Sequence, residues 1–195
     1  QRRSEPLWQR MVERSNSGVI GDVYLARCVC YNRRDAIPMA DDTEPPEWLD
    51  WSLWQGPTAD QAFNPNYVHY NWHWFWRYGN GEVGNNLVHF TDIANWTLNR
   101  GLPVKVHSDG GRFGYEDAAE TPNTQVSTAT FADGTMLVTE GRGRFSPKEH
   151  NTQVGMILYD SEGWMAADRV YNTTGEDILG DTSMTQVNDT KQARN

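Results

Sequence analysis

Residues 69–96 concentrate the side chains of this chain that are able to move protons and hold a polar ligand. His69, Tyr70, Trp72 and His73 stand in a run dense in aromatic rings, glycines recur from Gly79 to Gly84, and Asn85, His89, Asp92 and Trp96 follow at helical spacing. At about 100° per residue those last four share one side of a helix, while Leu87, Phe90, Ala94 and Leu98 share the other. The apolar set reads as a core stripe. The polar set puts an imidazole one turn after an amide and one turn before a carboxylate. Asp92 is then placed to accept a hydrogen bond from His89 and fix its tautomer, leaving the other ring nitrogen for a substrate hydroxyl. An early position in the helix favours the neutral imidazole that a general base needs. The alternative is a solvated helix face that happens to carry a histidine. His69 and His73 are four apart, and in a helix they would complete a zinc site with His89 or Asp92. That spacing alone is a weak signal, and no metal ligand is assigned. His107 and His150 have no such context.

The glycines also spell G-x-G-x-x-G. A dinucleotide site needs a buried strand before such a turn, a helix after it, and an acid at a later strand end. The preceding residues 71–78 (NWHWFWRY) are too bulky and polar for a central strand, and no second βαβ pattern follows. A plain turn is expected, with no cofactor-binding residue assigned.

The elements that must position these groups can be read outward from the turn. Ser4 is expected to cap a helix with Pro6 just inside it; Leu7, Trp8, Met11 and Val12 give its apolar spacing and Gly18 its stop. Residues 22–31 read as a strand, residues 32–68 as a long proline-containing loop of functional or surface-crossing kind, and residues 53–57 as the end of a single helical turn. Beyond the helix over 85–98, residues 104–108, 124–131, 135–144, 152–160 and 164–167 read as strands, with hairpin turns at Asp133-Gly134 and 161–163. From Asn172 onward the chain is polar and threonine-rich, so extended or loosely ordered structure is expected. The fold class is α+β: a large open, mainly antiparallel sheet with helices packed on one face, forming one domain over 1–195.

Composition narrows the function classes. A net charge of −9 argues against a nucleic-acid partner, and no apolar stretch approaches the roughly 18 residues of a membrane helix. The charge is uneven, +4 over residues 1–34 and −13 over the rest. Such a basic segment suits either a solvated helix face or an acidic neighbour. Cys28 and Cys30, two apart in a strand, point to one face and are poorly placed to pair with each other; small buried hydrophobes are expected. Seven of nine tryptophans lie between Trp48 and Trp96, enough for a thick core and part of a carbohydrate pocket.

Residues 63–66, 69–76, 79–81 and the spacing from Asn85 through His89 to Asp92 and Trp96 closely resemble the C-terminal domain of the Gfo/Idh/MocA oxidoreductases, in the bacterial branch that carries a tryptophan-rich insert. Residues 110–115, 120–125 and 140–143 resemble that branch too, so the likeness covers nearly the whole chain. The resemblance implies the substrate-binding and oligomerisation half of an enzyme acting on a sugar or cyclitol hydroxyl or ketone. It implies NAD or NADP held by an N-terminal Rossmann domain that this chain lacks, and homo-oligomers built through the sheet. It assigns His89 as the acid–base residue with Asp92 and Asn85 orienting it, and Tyr70, Trp72, His73 and Arg112 as the pocket. Asn85 stands where many members carry aspartate, and Leu87 replaces a common glycine. Two other classes compete: a stand-alone carbohydrate-binding or scaffolding protein of this fold, and a metal-dependent hydrolase using His69, His73 and His89.

Overall fold

The computed structural model describes residues 1–167 and 169–179. Helix α1 (Pro6–Asn16) begins on Pro6, whose missing N–H is no loss in a first turn. The residue before it, Glu5, holds the cap position instead of Ser4, which lies in a 3-10 turn over Arg2–Ser4. The Glu5 carboxylate leaves the helix backbone alone because it accepts from Arg2 Nη1 at 3.0 Å and from Trp8 Nε1 at 3.1 Å. Trp8, Met11, Val12 and Ser15 form the buried side of α1.

Seven strands make one sheet in the order β2-β3-β4-β1-β5-β6-β7. They are β1 (Leu25–Cys30), β2 (Lys105–Gly111), β3 (Thr124–Thr130), β4 (Met136–Arg142), β5 (Val154–Tyr159), β6 (Gly163–Ala166) and β7 (Arg169–Asn172). Every pairing is antiparallel except β1 with β4, which the chain reaches through the whole region carrying the site. Both expected hairpins form. Gly134 takes φ +90°, a left-handed conformation open to glycine, and Asp133 Oδ1 accepts from the Thr135 N–H at 3.0 Å. At the other hairpin Asp160 Oδ1 accepts from the N–H groups of Glu162 and Gly163.

Strand β7 was not expected. Its short, polar sequence carries no alternation signal, but Val170 is fully buried and Tyr171 stacks on Trp164 at 3.8 Å. Non-local packing overrides the local composition there. Residues after Asn172 continue in a turn, and Asp177 bridges back to Tyr171. The rest of the segment expected to be loose, from residue 180, lies outside the described residues.

The core lies between one face of the sheet and the helices. Ala26, Cys28, Cys30, Leu137, Met156, Leu158, Met165 and Val170 meet Trp8, Met11, Leu87, Phe90, Ile93 and Ala94. Each large aliphatic side chain buried there contributes about 1.5–3 kcal/mol of transfer free energy. Cys28 and Cys30 are free and buried, facing this core. Between β1 and the helix after the glycine turn, the long excursion builds its own aromatic cluster around α2 (Trp51–Gln55). Trp51 stacks on Trp54 at 5.0 Å and meets Phe63 edge-on at 5.2 Å, while Tyr67 meets Phe75 and Tyr78 edge-on. Ile37, Trp74, Phe75 and Ala119 form a second buried cluster beside it. Three tryptophans of the region, Trp48, Trp72 and Trp76, remain exposed.

Candidate active site

The glycine-rich turn is tight because it doubles back on the aromatic run. A Cβ on Gly79 would lie 2.5 Å from the His73 Cα, so no larger residue fits without moving backbone. The chain next makes one wide π turn over Val83–Leu87 and enters α3 (Val88–Leu98). Such insertions recur at functional sites because they re-aim the residues around them. Leu87, Phe90, Ala94 and Leu98 are buried as the periodicity requires, and Ile93 and Thr97 widen the buried face. On the other side Asn85, His89 and Trp96 are partly exposed and Asp92 is exposed. His89 sits in the first turn of α3, as expected.

Asp92 does not play the part the spacing suggested. Its carboxylate is taken by Arg3, which donates from Nε at 2.8 Å and from Nη2 at 2.7 Å. The hydrogen bonds from Arg3 hold the Asp92 carboxyl below the usual carboxylate range. The same guanidinium lies 5.1 Å over Trp96, and Arg2 lies 5.3 Å over Phe90. A partner 89 positions away leaves no trace in local spacing.

The aromatic wall is built on a 3-10 turn over Asn71–Trp74. His73 is buried, and its Nδ1 lies 2.8 Å from the Tyr70 carbonyl, so that nitrogen carries the proton and donates it. Nε2 is left as a bare acceptor with no hydrogen-bond partner among the described residues. Burial lowers the pKa of this histidine and keeps the ring neutral. Tyr70 and Trp72 are exposed beside it, with their rings edge-on to the imidazole at 5.0 and 5.5 Å.

Two residues that sequence reasoning passed over tie this wall to α3. Glu82 is buried at the start of the π turn and accepts from Arg34 Nε at 3.0 Å, Arg34 Nη2 at 2.9 Å, Cys30 Sγ at 3.3 Å and Asn86 Nδ2. Arg34 reaches the Tyr70 hydroxyl with Nη1 at 3.4 Å and lies 5.7 Å from the Trp74 ring centroid. Arg112 is committed to the protein: Nε and Nη2 donate to Asp117 at 2.9 and 2.6 Å, and Nη1 donates to the Thr121 carbonyl at 2.6 Å. It braces the loop wall.

His69 lies outside the 3-10 turn and stacks on Trp48 at 5.2 Å, so the helical premise of a His69–His73 metal pair is not met. Among the described residues no group of three His, Cys, Asp or Glu side chains is arranged to hold a metal ion. His107 is exposed on β2, and His150 packs on Trp164 at 3.9 Å. The glycine turn does not suit a pyrophosphate. The 3-10 turn over Asn71–Trp74, not a strand, leads into it, Gly79 and Gly84 are closed off by His73 and Asn80, and it runs on into a π turn. Its residues therefore do not fit a nicotinamide dinucleotide.

No curated protein matches the chain at a significant level. Solved structures do share its fold. A putative dehydrogenase from Bordetella bronchiseptica RB50 gives a TM-score of 0.55 at 15% identity, over 91% of this chain and 53% of that one. The WlbA dehydrogenase from Bordetella pertussis, solved in complex with NADH and UDP-GlcNAcA, gives 0.54 at 16% identity, over 87% and 43%. A myo-inositol dehydrogenase from Corynebacterium glutamicum gives 0.51 at 16% identity, over 89% and 40%. The chain thus spans about two fifths to one half of the length of these structures. A sequence model described as "Oxidoreductase family, C-terminal alpha/beta domain" matches residues 35–157, the stretch from the aromatic excursion through β5. The half-covered sheet, the His89 helix and this match over more than half of the sequence agree: the chain belongs to the Gfo/Idh/MocA oxidoreductase family, as its C-terminal alpha/beta domain.

Proposed function

We propose that residues 1–195 form the substrate-binding and oligomerisation domain of an NAD(P)-dependent oxidoreductase acting on a sugar or cyclitol hydroxyl or ketone. The carrying observation is the partly exposed His89 in the first turn of α3, on a helix tied through Glu82 and Arg34 to a wall of Tyr70, Trp72 and His73. Aromatic faces suit the C–H faces of a sugar ring, and the exposed Tyr70 hydroxyl with the Arg34 guanidinium beside it suits its hydroxyls, while the buried His73 backs the wall. His89 takes the proton of the carbinol hydroxyl during oxidation and returns it during reduction, with Asn85 nearby as an amide partner. Arg112 shapes the wall through Asp117. The nicotinamide, the source or acceptor of hydride, belongs to a nucleotide-binding domain beyond residues 1–195. Relatives described with NADH and UDP-GlcNAcA, or as a myo-inositol dehydrogenase, support that substrate and cofactor class.

The test is His89→Ala in the protein carrying both domains. A lost general acid–base costs about 10²–10⁴ in kcat; unchanged kcat would remove His89 from the chemistry. A second reading, a carbohydrate-binding or scaffolding protein without redox chemistry, is favoured by Asn85 and Leu87, which stand where the resembled family commonly carries aspartate and glycine. Calorimetry separates them. Sugar binding by the natural full-length protein with no response to NAD or NADP supports the second reading, and a nucleotide response supports the first.

A further inference from the structure

Arg3 reaches α3 from the turn preceding α1 and closes both oxygens of Asp92 in a two-point clamp, at 2.8 and 2.7 Å, while its plane covers Trp96. Asp92 lies three positions beyond His89 in α3, a spacing at which side chains on one side of a helix meet. Left free, that carboxylate would stabilise an imidazolium at His89 and bind its proton more tightly. We infer that Arg3 is a positioning residue for the proposed reaction: by holding both oxygens of Asp92 it keeps that carboxylate from pairing with His89, so that the imidazole is left to the substrate hydroxyl. The role in catalysis rests on the reading of His89 given above; the electrostatic coupling does not.

The charged groups around this face come from few elements. Asp92 is on α3 itself, and the N-terminal turn brings the Gln1 α-amino group, Arg2, Arg3 and Glu5, of which Arg2 and Glu5 pair with each other at 3.0 Å. Helix α1 presents Trp8 edge-on to Phe90 at 5.5 Å. Strands β1, β4 and β5 pack on the buried side of α3 with Ala26, Cys28, Leu137, Met156 and Leu158, none of them charged. The clamp is therefore the principal ionic constraint on Asp92 among the described residues. Both partners are about half exposed, at 47% and 46%, so the coupling belongs to the modest range of surface pairs.

The experiment is an NMR titration of the histidine Cε1–H signals, with His89→Gln identifying the His89 signal among the five histidines. It needs neither substrate nor cofactor. Arg3→Met is expected to raise the His89 midpoint by about half a pH unit, the size appropriate to an exposed pair. Arg3→Lys, which keeps the charge and loses the two-point contact, falls between. In an Asp92→Asn background Arg3→Met should move the midpoint by less than half as much. An unchanged midpoint in Arg3→Met overturns the inference, and so does an equal rise in the Asp92→Asn background, which would make Arg3 a direct neighbour only. In the enzyme carrying both domains, the acidic limb of the kcat/KM profile should shift upward with the same variant. A normal titration shift combined with full activity of His89→Ala would defeat the catalytic reading and leave the coupling standing.

Discussion

Glu82 and His73 carry energetic consequences that their local sequence hides. Glu82 is a nearly buried carboxylate whose charge is balanced by Arg34, and Arg34 is itself only 20% exposed along its side chain. Removing one partner of such a pair leaves the other desolvated and uncompensated, which costs about 3–5 kcal/mol. Glu82→Gln is expected to destabilise near the lower end of that range in urea unfolding, because an amide still accepts one hydrogen bond. The double variant with Arg34→Met should lose clearly less than the sum of the two single losses. Additive losses would mean the pair is not coupled. His73 gives a pH signature. Its folded pKa is lowered by burial, so below about pH 6.5 the unfolded chain takes up a proton that the folded chain refuses. Stability contributed at neutral pH is therefore lost as pH falls from the unfolded value through the lower folded one. His73→Asn keeps a donor for the Tyr70 carbonyl and should flatten the dependence of Tm on pH between 6.5 and 5; a parallel decline in both proteins would refute this. The sequence drew attention to His73 as an imidazole in an aromatic run and to His89 through its helical spacing with Asn85 and Asp92. It did not disclose Arg3 or Arg34, whose partners lie 89 and 48 positions away and follow no periodicity.

Helix α3 is the element whose pattern was most legible, and the reason is burial on one side only. Leu87, Phe90, Ala94 and Leu98 recur at a helical interval because one side of α3 packs on β1, β4 and β5. The π turn before it could not be read, since Val83–Leu87 has the same apolar spacing whether its turn is of α or π form. Likewise the hairpins announced themselves through Asp133-Gly134 and Ser161-Glu162-Gly163, whereas the parallel contact of β1 with β4 depends on a return after more than a hundred residues. Leu87 joins the two kinds of information. It is fully buried, it ends the π turn, and it fills the space above Gly141, where an added Cβ would meet its Cδ1 at 3.3 Å. Leu87→Ala is expected to cost about 2–5 kcal/mol by chemical denaturation. Leu87→Gly, matching the glycine common in the family at this position, adds backbone freedom of about 1 kcal/mol to that loss. If Leu87→Ala costs under about 1 kcal/mol, the site has collapsed around it and Leu87 is not the support for the start of α3.

Across the whole molecule, the basic first segment and the acidic body are reconciled inside the chain. Arg3, Arg27 and Arg34 reach Asp92, Glu140 with Glu149, and Glu82, so an external acidic partner is not required to account for the early arginines. Part of the sheet face opposite the helices stays open, although Val29, Val138 and Ile157 on that face are buried. Registered residues share a face, and the register places Thr130, Met136, Leu25, Tyr159, Trp164 and Tyr171 in one row across six strands on that side. Met136 is 38% exposed, and Trp164 with Tyr171 stays partly exposed although the two rings stack. Five of the six are apolar or aromatic and none is fully buried, so they form a stripe that a partner can cover. They suit a self-complementary contact in which the same face of a second copy covers them. If homo-oligomers form through this face, Trp164→Arg should sediment as a smaller species than the parent at matched concentration, because a charge would be buried without a partner in each copy. The helix side of the sheet is untouched by that change, so far-UV circular dichroism and the His89 titration should be preserved. Equal sedimentation of variant and parent, at concentrations where the parent is associated, would exclude this row from the contact and direct attention to the edge strand β2.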